Sequence, residues 1–397
     1  MGMFADRMSQ VSVSATLKVA AEAERLRRAG HSVVDFSAGE PDFPTPEHVK
    51  AAAKAAIDAN FTRYTAAAGI PELREAICAR YKGDYGVDIT PAEVLLTVGG
   101  KQALFNSALA LFNPGDEVIT HAPYWPTIPE QVKLVGAVPV IVPTSSTDGF
   151  RVSAESVIGA ITPKTKAIIL NSPGNPTGAL IDEPVVAAIA EEAAKRDIWV
   201  IVDLCYEQLI YEDVPHNLPK TLFDRHRAKT VLCGSASKSY AMTGWRCGWT
   251  VGPKELTSVF NVIQGQTTSN IASVTQKAAL AAISGSQDAV TAMLDEYRKR
   301  RDNIHAWLTA HPGIQCVKPK GAFYLFPNIS ALLAPGTTST DFAQALLEKE
   351  HVVVTPGEAF DAPGYLRISY ATSMEQLREG ATRILRFAES LQHAAAR

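Results

Sequence analysis

Short apolar runs that alternate with helical patterns constrain the fold of this chain more than any other feature. Each run has four or five residues, which suits a strand buried on both faces, and residues with helical apolar spacing follow it. This alternation predicts an α/β fold in which helices cover both faces of a mostly parallel sheet. Ligands of such sheets bind beyond the carboxyl ends of the strands. The predicted strands are 94–98, 117–120, 138–142, 167–170, 199–202 and 230–233.

A second pattern follows residue 253, where long helices precede short strands and a final helix. We interpret this part as a smaller α+β domain. The basic run 298–301 lies on one of these helices, and we expect it to be a solvated helix face. Nearer the amino terminus, Thr45 is the expected cap of a helix that has Pro46 at its first position.

Lys238 lies in a Ser-rich loop directly after the predicted strand 230–233. A lysine amine that is partly desolvated or close to other cations can form an imine with an aldehyde. The hydroxyls of Ser235 and Ser237 and the fork of Arg246 could bind a phosphate. Pyridoxal phosphate carries both an aldehyde and a phosphate. A lone lysine in such a loop is also typical of a solvated surface.

Other polar residues follow neighbouring strands. Asp203 comes directly after 199–202, where it could keep a pyridinium nitrogen protonated or could simply form a turn or cap a helix. Asn175 and Tyr206 could then donate to the ring's phenolate oxygen.

Gly99 and Gly100 lie between a strand and a helix, an arrangement that points free N–H groups at an anion. Lys101 on the first turn has the wrong sign for a helix amino terminus, so it indicates an anionic ligand or a solvated lysine. Gly39 could allow close approach of a ligand, or it could form a tight turn. Arg367 interrupts an apolar strand and needs a carboxylate, from the protein or from a substrate.

Composition limits the kinds of partner. The net charge of −3 gives no basic field for nucleic acid or an anionic membrane, and no apolar run reaches the ~18 residues of a membrane span. Five scattered cysteines without a C-x-x-C pattern indicate reduced thiols, with neither a disulfide framework nor a metal site. We therefore expect a cytoplasmic protein.

Taken together, the motifs resemble class I aminotransferases of the pyridoxal-phosphate fold type I, in order and over nearly the whole chain. GGKQALF at 99–105 with PYW at 123–125 is similar to the bacterial aspartate aminotransferases of subgroup I-beta. The other motifs are SAGEPDF (37–43), RYT (63–65), PELR (71–74), NSPGNPTG (171–178), SASK (235–238) with Arg246, and YLR (365–367).

This resemblance implies a role for each candidate. Lys238 would bind the cofactor covalently and later carry the proton, while Asp203 would pair with the ring nitrogen. Asn175 and Tyr206 would contact the ring oxygen, and Trp125 would stack on the ring. Arg367, with Gly39 and Asn175, would bind the substrate α-carboxylate, and Lys101 would meet a distal carboxylate. The phosphate would be held by Ser235, Ser237, Arg246 and the amides of Gly99 and Gly100, with Tyr64 contributed by the neighbouring subunit of a homodimer.

The implied activity is the transfer of an amino group between an amino acid, aspartate or glutamate being favoured, and a 2-oxo acid by a ping-pong mechanism. Aromatic, alanine or kynurenine-type aminotransferases and carbon–sulfur lyases are alternatives with the same cofactor, and a cofactor-binding regulator is a remote one. The implied division is an N-terminal segment, 1–45, packing with the small domain, then a large cofactor-binding domain, 46–290, and a small domain, 291–397.

Three departures from the family pattern bear on substrate choice. Ser12 and Val13 stand where relatives that accept prephenate tend to have Lys-Pro, so we expect little prephenate activity. Leu204 and Cys205 replace the usual Glu-Ile after Asp203. The sequence WPT at 125–127 is also unusual.

Overall fold

The computed structural model describes residues 5–11, 15–212, 214 and 216–395. Its strands form three sheets of seven, three and two strands. No helix in these ranges is long and apolar enough to cross a membrane. In chain order the strands are β1 Val34–Asp35, β2 Val94–Thr97, β3 Glu117–Ala122, β4 Val138–Pro143, β5 Thr165–Asn171, β6 Trp199–Asp203, β7 Thr230–Ser235, β8 Gly248–Val251, β9 Tyr324–Leu325, β10 Val352–Val353, β11 Thr355–Pro356 and β12 Leu366–Ser369.

Helices cover the seven-stranded sheet on both faces. In chain order the α-helices are α1 Ala15–Arg28, α2 Glu47–Asp58, α3 Pro71–Tyr85, α4 Gly100–Leu111, α5 Thr127–Leu134, α6 Ala154–Gly159, α7 Glu183–Lys195, α8 Leu218–His226, α9 Lys254–Thr267, α10 Ser273–Ser284, α11 Asp288–Thr309, α12 Ser339–Glu350 and α13 Met374–Ala395.

The large sheet has the order β2-β8-β7-β6-β5-β3-β4 and is mostly parallel, as predicted. Only β8, which the apolar pattern did not reveal, runs antiparallel to its neighbours β2 and β7 within the described chain. Both faces of the sheet are buried: Val200 and Val202 of β6 face one core cluster, and Ile201 faces the other. Alternate side chains of a strand face opposite sides of the sheet, and both sides are buried here. The strands are therefore continuous apolar runs in the sequence.

The register of the central strands sets the position of the polar residues. Asn171 at the end of β5 lies opposite Asp203 at the end of β6, and Asp203 lies opposite Cys233 near the end of β7. Three loops therefore leave the sheet side by side at its carboxyl edge. They carry Asn175, Tyr206 and Lys238.

The two-stranded sheet joins the N-terminal and C-terminal parts of the chain, and the three-stranded sheet is C-terminal. β1 pairs in parallel with β10, so that Val34 lies opposite Val352. In the three-stranded sheet, β12 pairs antiparallel with both β11 and β9. Side chains from both parts, including Phe36, Tyr297 and Phe387, share one apolar core.

Two local predictions were wrong. Helix α2 begins at Glu47 with Pro46 before it, and the Thr45 hydroxyl donates to the Ala241 carbonyl at 2.6 Å instead of capping the helix. The basic run 298–301 is not a solvated face, because Arg300 and Arg301 are buried.

These arginines are buried in ion pairs with carboxylates that are distant in the sequence. Arg300 pairs with Asp42 at 2.7 Å, and Arg301 pairs with Glu212 at 2.8 Å. Glu296 and Asp302 are additional, local partners. Burial of a guanidinium costs free energy unless it is paired, and the prediction failed because the two distant partners could not be recognised from the local sequence.

Candidate active site

A cleft of about 1170 Å³ lies over the carboxyl edge of the large sheet, between that sheet and the three-stranded sheet of β9, β11 and β12. It brings together nearly all the residues predicted from the sequence. Those that line it are Gly39, Gly100, Lys101, Trp125, Asn175, Asp203, Tyr206, Ser235, Ser237, Lys238, Arg246 and Arg367. Of the predicted residues, Gly99 and Tyr64 are not on its wall.

Lys238 projects into the cleft from the loop after β7, and its amine donates a hydrogen bond to the Gly39 carbonyl. Burial is the largest cause of a lowered pKa for this amine. The charges of Arg246 and Arg367 lower the pKa further, although Cys205 and Glu40 act in the opposite direction. A lowered pKa increases the neutral fraction of the amine, which is the form that attacks an aldehyde.

Asp203 is buried at the end of β6, and its Oδ1 accepts a hydrogen bond from the Cys205 amide at 3.0 Å. Burial raises the pKa of its carboxyl to about 6, against the lowering effects of that amide and of Lys238. A carboxylate in this position is stabilised by any cation that binds beside it. Asp203 could therefore hold a protonated ring nitrogen.

A cradle of small residues and hydroxyls lies next to Lys238. Gly99 has a φ of 78°, and a Cβ on it would stand 2.5 Å from Nη2 of Arg246, so the glycine makes room for the guanidinium. Arg246 donates to the Thr243 carbonyl at 2.8 Å. The Ser237 amide donates to the Ser235 hydroxyl at 3.1 Å, beside the amino terminus of α4 at Gly100. A phosphate could be bound here by Arg246, by two hydroxyls and by a helix amino terminus.

Arg367 is buried on β12 at the opposite side of the cleft. Nη1 donates to Oδ1 of Asn175 at 3.2 Å, and Nη2 donates to the Ser37 carbonyl at 2.8 Å. Nε is buried without a hydrogen-bond partner, and no carboxylate of the described residues forms an ion pair with this guanidinium. The sequence indicated that Arg367 needs a carboxylate, and the described part of the protein supplies only neutral oxygens.

Lys101 and Trp125 lie together on another part of the wall. Nζ of Lys101 stands 4.9 Å from the centroid of the Trp125 ring, a distance typical of a cation–π contact. Burial, with the charge of Arg246, lowers the pKa of Lys101. The amine is thus held by an aromatic face rather than by a carboxylate, and it could bind an anionic group.

Tyr324 and Phe360 are site residues that the sequence reasoning missed. Both rings are buried against Arg367, with centroids 4.5 and 5.1 Å from its guanidinium carbon. The Tyr324 hydroxyl also lies 2.9 Å from the hydroxyl of Tyr206. Tyr324 lies in one of the short strands predicted after residue 253. Only the pairing of that strand with the strand of Arg367 could have indicated that Tyr324 belongs to the site.

The residues fit the three functional groups of pyridoxal phosphate. Lys238 could bind the aldehyde, and Asp203 could bind the ring nitrogen. The phosphate could be bound by the cradle of Gly100, Ser235 and Arg246. The clearest structural sign is the space that Gly99 leaves for Arg246, which a Cβ would fill.

Comparisons with known proteins agree with this chemistry. The family described as aminotransferase class I and II matches residues 31–384. The chain is 43% identical to an aspartate/prephenate aminotransferase of Cereibacter sphaeroides, over 98% of this chain and 100% of that protein. It is 44% identical to an aspartate aminotransferase of Streptomyces avermitilis, over 95% and 94% of the two chains.

Solved structures show the same relationship. The aspartate aminotransferase of Thermus thermophilus with maleate superposes with a TM-score of 0.91 at 42% identity, covering 98% of this chain and all of that one. The enzyme from Rhizobium meliloti gives a TM-score of 0.93 at 38% identity, covering 98% and 99%. The chain therefore belongs to the class I and II aminotransferases and is a fold type I, pyridoxal-phosphate-dependent aminotransferase.

Proposed function

We propose that this aminotransferase prefers dicarboxylic amino acids, aspartate or glutamate, as amino donors and a 2-oxo acid as acceptor. The observation that carries the proposal is that two cations, Arg367 and Lys101, lie on the wall of one cleft with Lys238 and form no ion pair with any carboxylate of the described residues. Arg367 would bind the α-carboxylate and Lys101 the distal carboxylate. The Thermus thermophilus relative, whose structure was solved with the dicarboxylate maleate, supports this assignment.

The residues of this chain would divide the chemistry among them. Bound pyridoxal phosphate supplies an electron-withdrawing ring that makes the Cα–H of an amino acid acidic. The amine of Lys238 would hold the cofactor aldehyde and, once released, take the proton from Cα at Nζ. Asp203 would keep the ring nitrogen protonated. Asn175 and Tyr206 would hold the ring oxygen, and Trp125 would cover one face of the ring.

The phosphate would remain fixed throughout. Ser235, Ser237 and Arg246 would bind it with the amides of Gly99 and Gly100, because charge-assisted hydrogen bonds to several donors resist dissociation. Gly39, whose carbonyl accepts from Lys238, would border the α-carboxylate.

A homodimer is part of this proposal, with Tyr64 completing the phosphate site of the partner subunit. Tyr64 is 90% exposed and does not line the cleft of its own chain. Ile57, Val259 and Val262 are large apolar side chains that are also exposed, which is typical of a surface covered by another subunit. Light scattering would test the dimer, and a Tyr64→Phe variant with weaker cofactor affinity would support the shared site.

The division into segments 1–45, 46–290 and 291–397 also stays a proposal, which the pairing of β1 with β10 supports for the first segment. A cytoplasmic location is proposed because all five cysteines are free. Low prephenate activity remains a prediction, and residues 12–14, on which it depends, lie outside the described residues.

The deciding experiment is a stopped-flow half-reaction on the purified holoenzyme. The absorbance change of the bound cofactor is followed after addition of aspartate, glutamate, alanine, phenylalanine, tyrosine or kynurenine. Aspartate and glutamate should react far faster than the others. A faster reaction with an uncharged or aromatic amino acid would reject the dicarboxylate preference and direct attention to Trp125 and Cys205.

A further inference from the structure

Tyr324 links the two ends of the cleft. It lies on β9, whose pairing with β12 places Tyr324 opposite Ser369, two residues from Arg367. Its hydroxyl reaches Tyr206, which follows β6 of the large sheet. A single buried side chain therefore contacts both a proposed carboxylate-binding residue and a proposed cofactor-binding residue.

Either hydroxyl of this pair could be the donor, and the proposed role of Tyr206 distinguishes the two directions. Each tyrosine has one O–H, and the two oxygens are 2.9 Å apart, so one proton lies between them. If Tyr206 donated to Tyr324, it would have no proton left for a cofactor oxygen. If Tyr324 donates, the proton of Tyr206 is free to point into the cleft. Within the described residues, Tyr206 is the hydrogen-bond partner found for the Tyr324 hydroxyl.

The ring of Tyr324 has a separate contact. The guanidinium carbon of Arg367 stands 4.5 Å from the ring centroid, and Phe360 contacts the same group at 5.1 Å. An aromatic face holds a desolvated guanidinium without using its N–H donors. The N–H donors that Asn175 and Ser37 do not occupy remain available to a carboxylate.

We propose that Tyr324 is a positioning residue with two separable effects: its hydroxyl directs the proton of Tyr206 into the cleft, and its ring holds Arg367 in place. The inference rests on the roles proposed above for Tyr206 and Arg367. The charged or titratable groups near the pair are Arg367 and Cys205.

The hydroxyl effect is tested by pH titration of the absorbance of the bound cofactor in holoenzyme variants. A donated hydrogen bond stabilises the negative ring oxygen, so its loss in Tyr206→Phe should raise the pKa of the bound chromophore by about 1 to 2. Tyr324→Phe should raise this pKa in the same direction. Tyr324→Phe removes only the hydrogen bond that polarises the Tyr206 hydroxyl, so its rise should be smaller. The double variant should show no larger rise than Tyr206→Phe alone, because Tyr324 acts on the ring oxygen through Tyr206.

The ring effect is tested by the affinity of the holoenzyme for maleate. Tyr324→Phe keeps the aromatic face and should leave the maleate Kd within about twofold, whereas Tyr324→Leu should raise it roughly 3- to 30-fold. An equal Kd for both variants would reject the ring effect. The unfolding midpoint of each variant, and the retained maleate affinity of Tyr324→Phe, show whether the fold is intact.

Tyr370→Phe is the matched control. The Tyr370 hydroxyl also contacts a buried tyrosine, Tyr211, at 3.3 Å, but neither residue lines the cleft. This variant should leave the chromophore pKa unchanged. If the chromophore pKa shifts in Tyr206→Phe but not in Tyr324→Phe, the hydroxyl effect is rejected. The proposed function is unaffected by that result. An unchanged pKa in Tyr206→Phe rejects the role of Tyr206 and the hydroxyl effect with it.

Discussion

Arg246 occupies the space that Gly99 leaves, since a Cβ on that glycine would stand 2.5 Å from Nη2 of the arginine. Gly99→Ala should therefore displace the guanidinium, and it adds a side chain at a φ of 78°. Loss of one charge-assisted hydrogen bond to the phosphate predicts a rise in the Kd for pyridoxal phosphate of roughly 10- to 100-fold. Titration of the cofactor-free protein with pyridoxal phosphate measures this Kd.

Gly244 provides the control for this variant. It precedes the same arginine by two residues, and a Cβ on it would meet no atom within 4 Å. Gly244→Ala should bind the cofactor with nearly normal affinity. Equal affinities for the two alanine variants would show that the cradle does not depend on Gly99.

A buried ion pair supports the turn that carries Tyr206. Glu207 accepts hydrogen bonds from Arg80 and Tyr85 of α3, each at 2.6 Å, and both members of the ion pair are nearly inaccessible. Glu207→Gln should lower the free energy of unfolding by about 3 kcal/mol, because it leaves the buried Arg80 with only the partly exposed Asp84 as a carboxylate partner. Urea unfolding measures the loss. Asp224→Asn, which breaks the exposed pair with Lys220, should cost less than about 1 kcal/mol.

Substrate choice should depend on Lys101. Lys101→Met keeps an apolar stem against Trp125 and removes the charge. We expect kcat/KM for aspartate to fall roughly 10- to 150-fold, since hydrogen bonds to charged groups contribute about 1.5–3 kcal/mol. Alanine, which has no distal carboxylate, should react at nearly the same rate as before. Unchanged aspartate kinetics would reject Lys101 as the specificity residue.

Lys238→Ala should abolish turnover while preserving the fold. Acid–base transfer alone contributes roughly 10²–10⁴-fold, and covalent binding of the cofactor is lost as well. Single-turnover rates with aspartate should therefore fall by several powers of ten. The exposed Lys254 serves as a comparison, because Lys254→Ala removes only a surface amine. Native turnover by the Lys238 variant would overturn the assignment of the catalytic lysine.

The stability of the cofactor-free protein should depend on Asp203 at acid pH. Burial raises the pKa of this carboxyl from 3.8 to about 6, so between these values the folded state holds a proton that the unfolded state has lost. The resulting stabilisation is complete below about pH 4 and disappears as the pH rises through about 6. Its size is on the order of 3 kcal/mol.

Urea unfolding at several pH values compares the cofactor-free wild type with Asp203→Asn. The difference in unfolding free energy between the two proteins should change across this pH window. Parallel curves would show that Asp203 titrates normally in the fold.

Much of the site could be predicted because its residues follow apolar strands. Asn175, Asp203 and Lys238 each come after a run that the sequence marks clearly, and parallel strands bring their carboxyl ends to one edge. The motif resemblance then assigned the roles. Physical reasoning alone left each residue with an ordinary structural alternative.

The remaining features depend on partners that are distant in the sequence. Arg301 was expected in solvent, and its burial depends on Glu212, 89 positions away. Tyr324 could not be recognised because Tyr206, in the loop after β6, and Arg367, on β12, are distant from each other in the sequence and meet it only in the fold. Strand β8 is four residues long and follows a glycine-containing loop, which obscured its apolar pattern.

Arg367 is already fixed before any substrate arrives. Asn175 and Ser37 accept hydrogen bonds from two of its nitrogens, and the rings of Tyr324 and Phe360 contact its guanidinium. An arginine side chain loses considerable rotamer entropy when it is immobilised, and here that entropy is lost during folding. A carboxylate therefore meets a preorganised receptor, and more of its interaction energy remains as affinity.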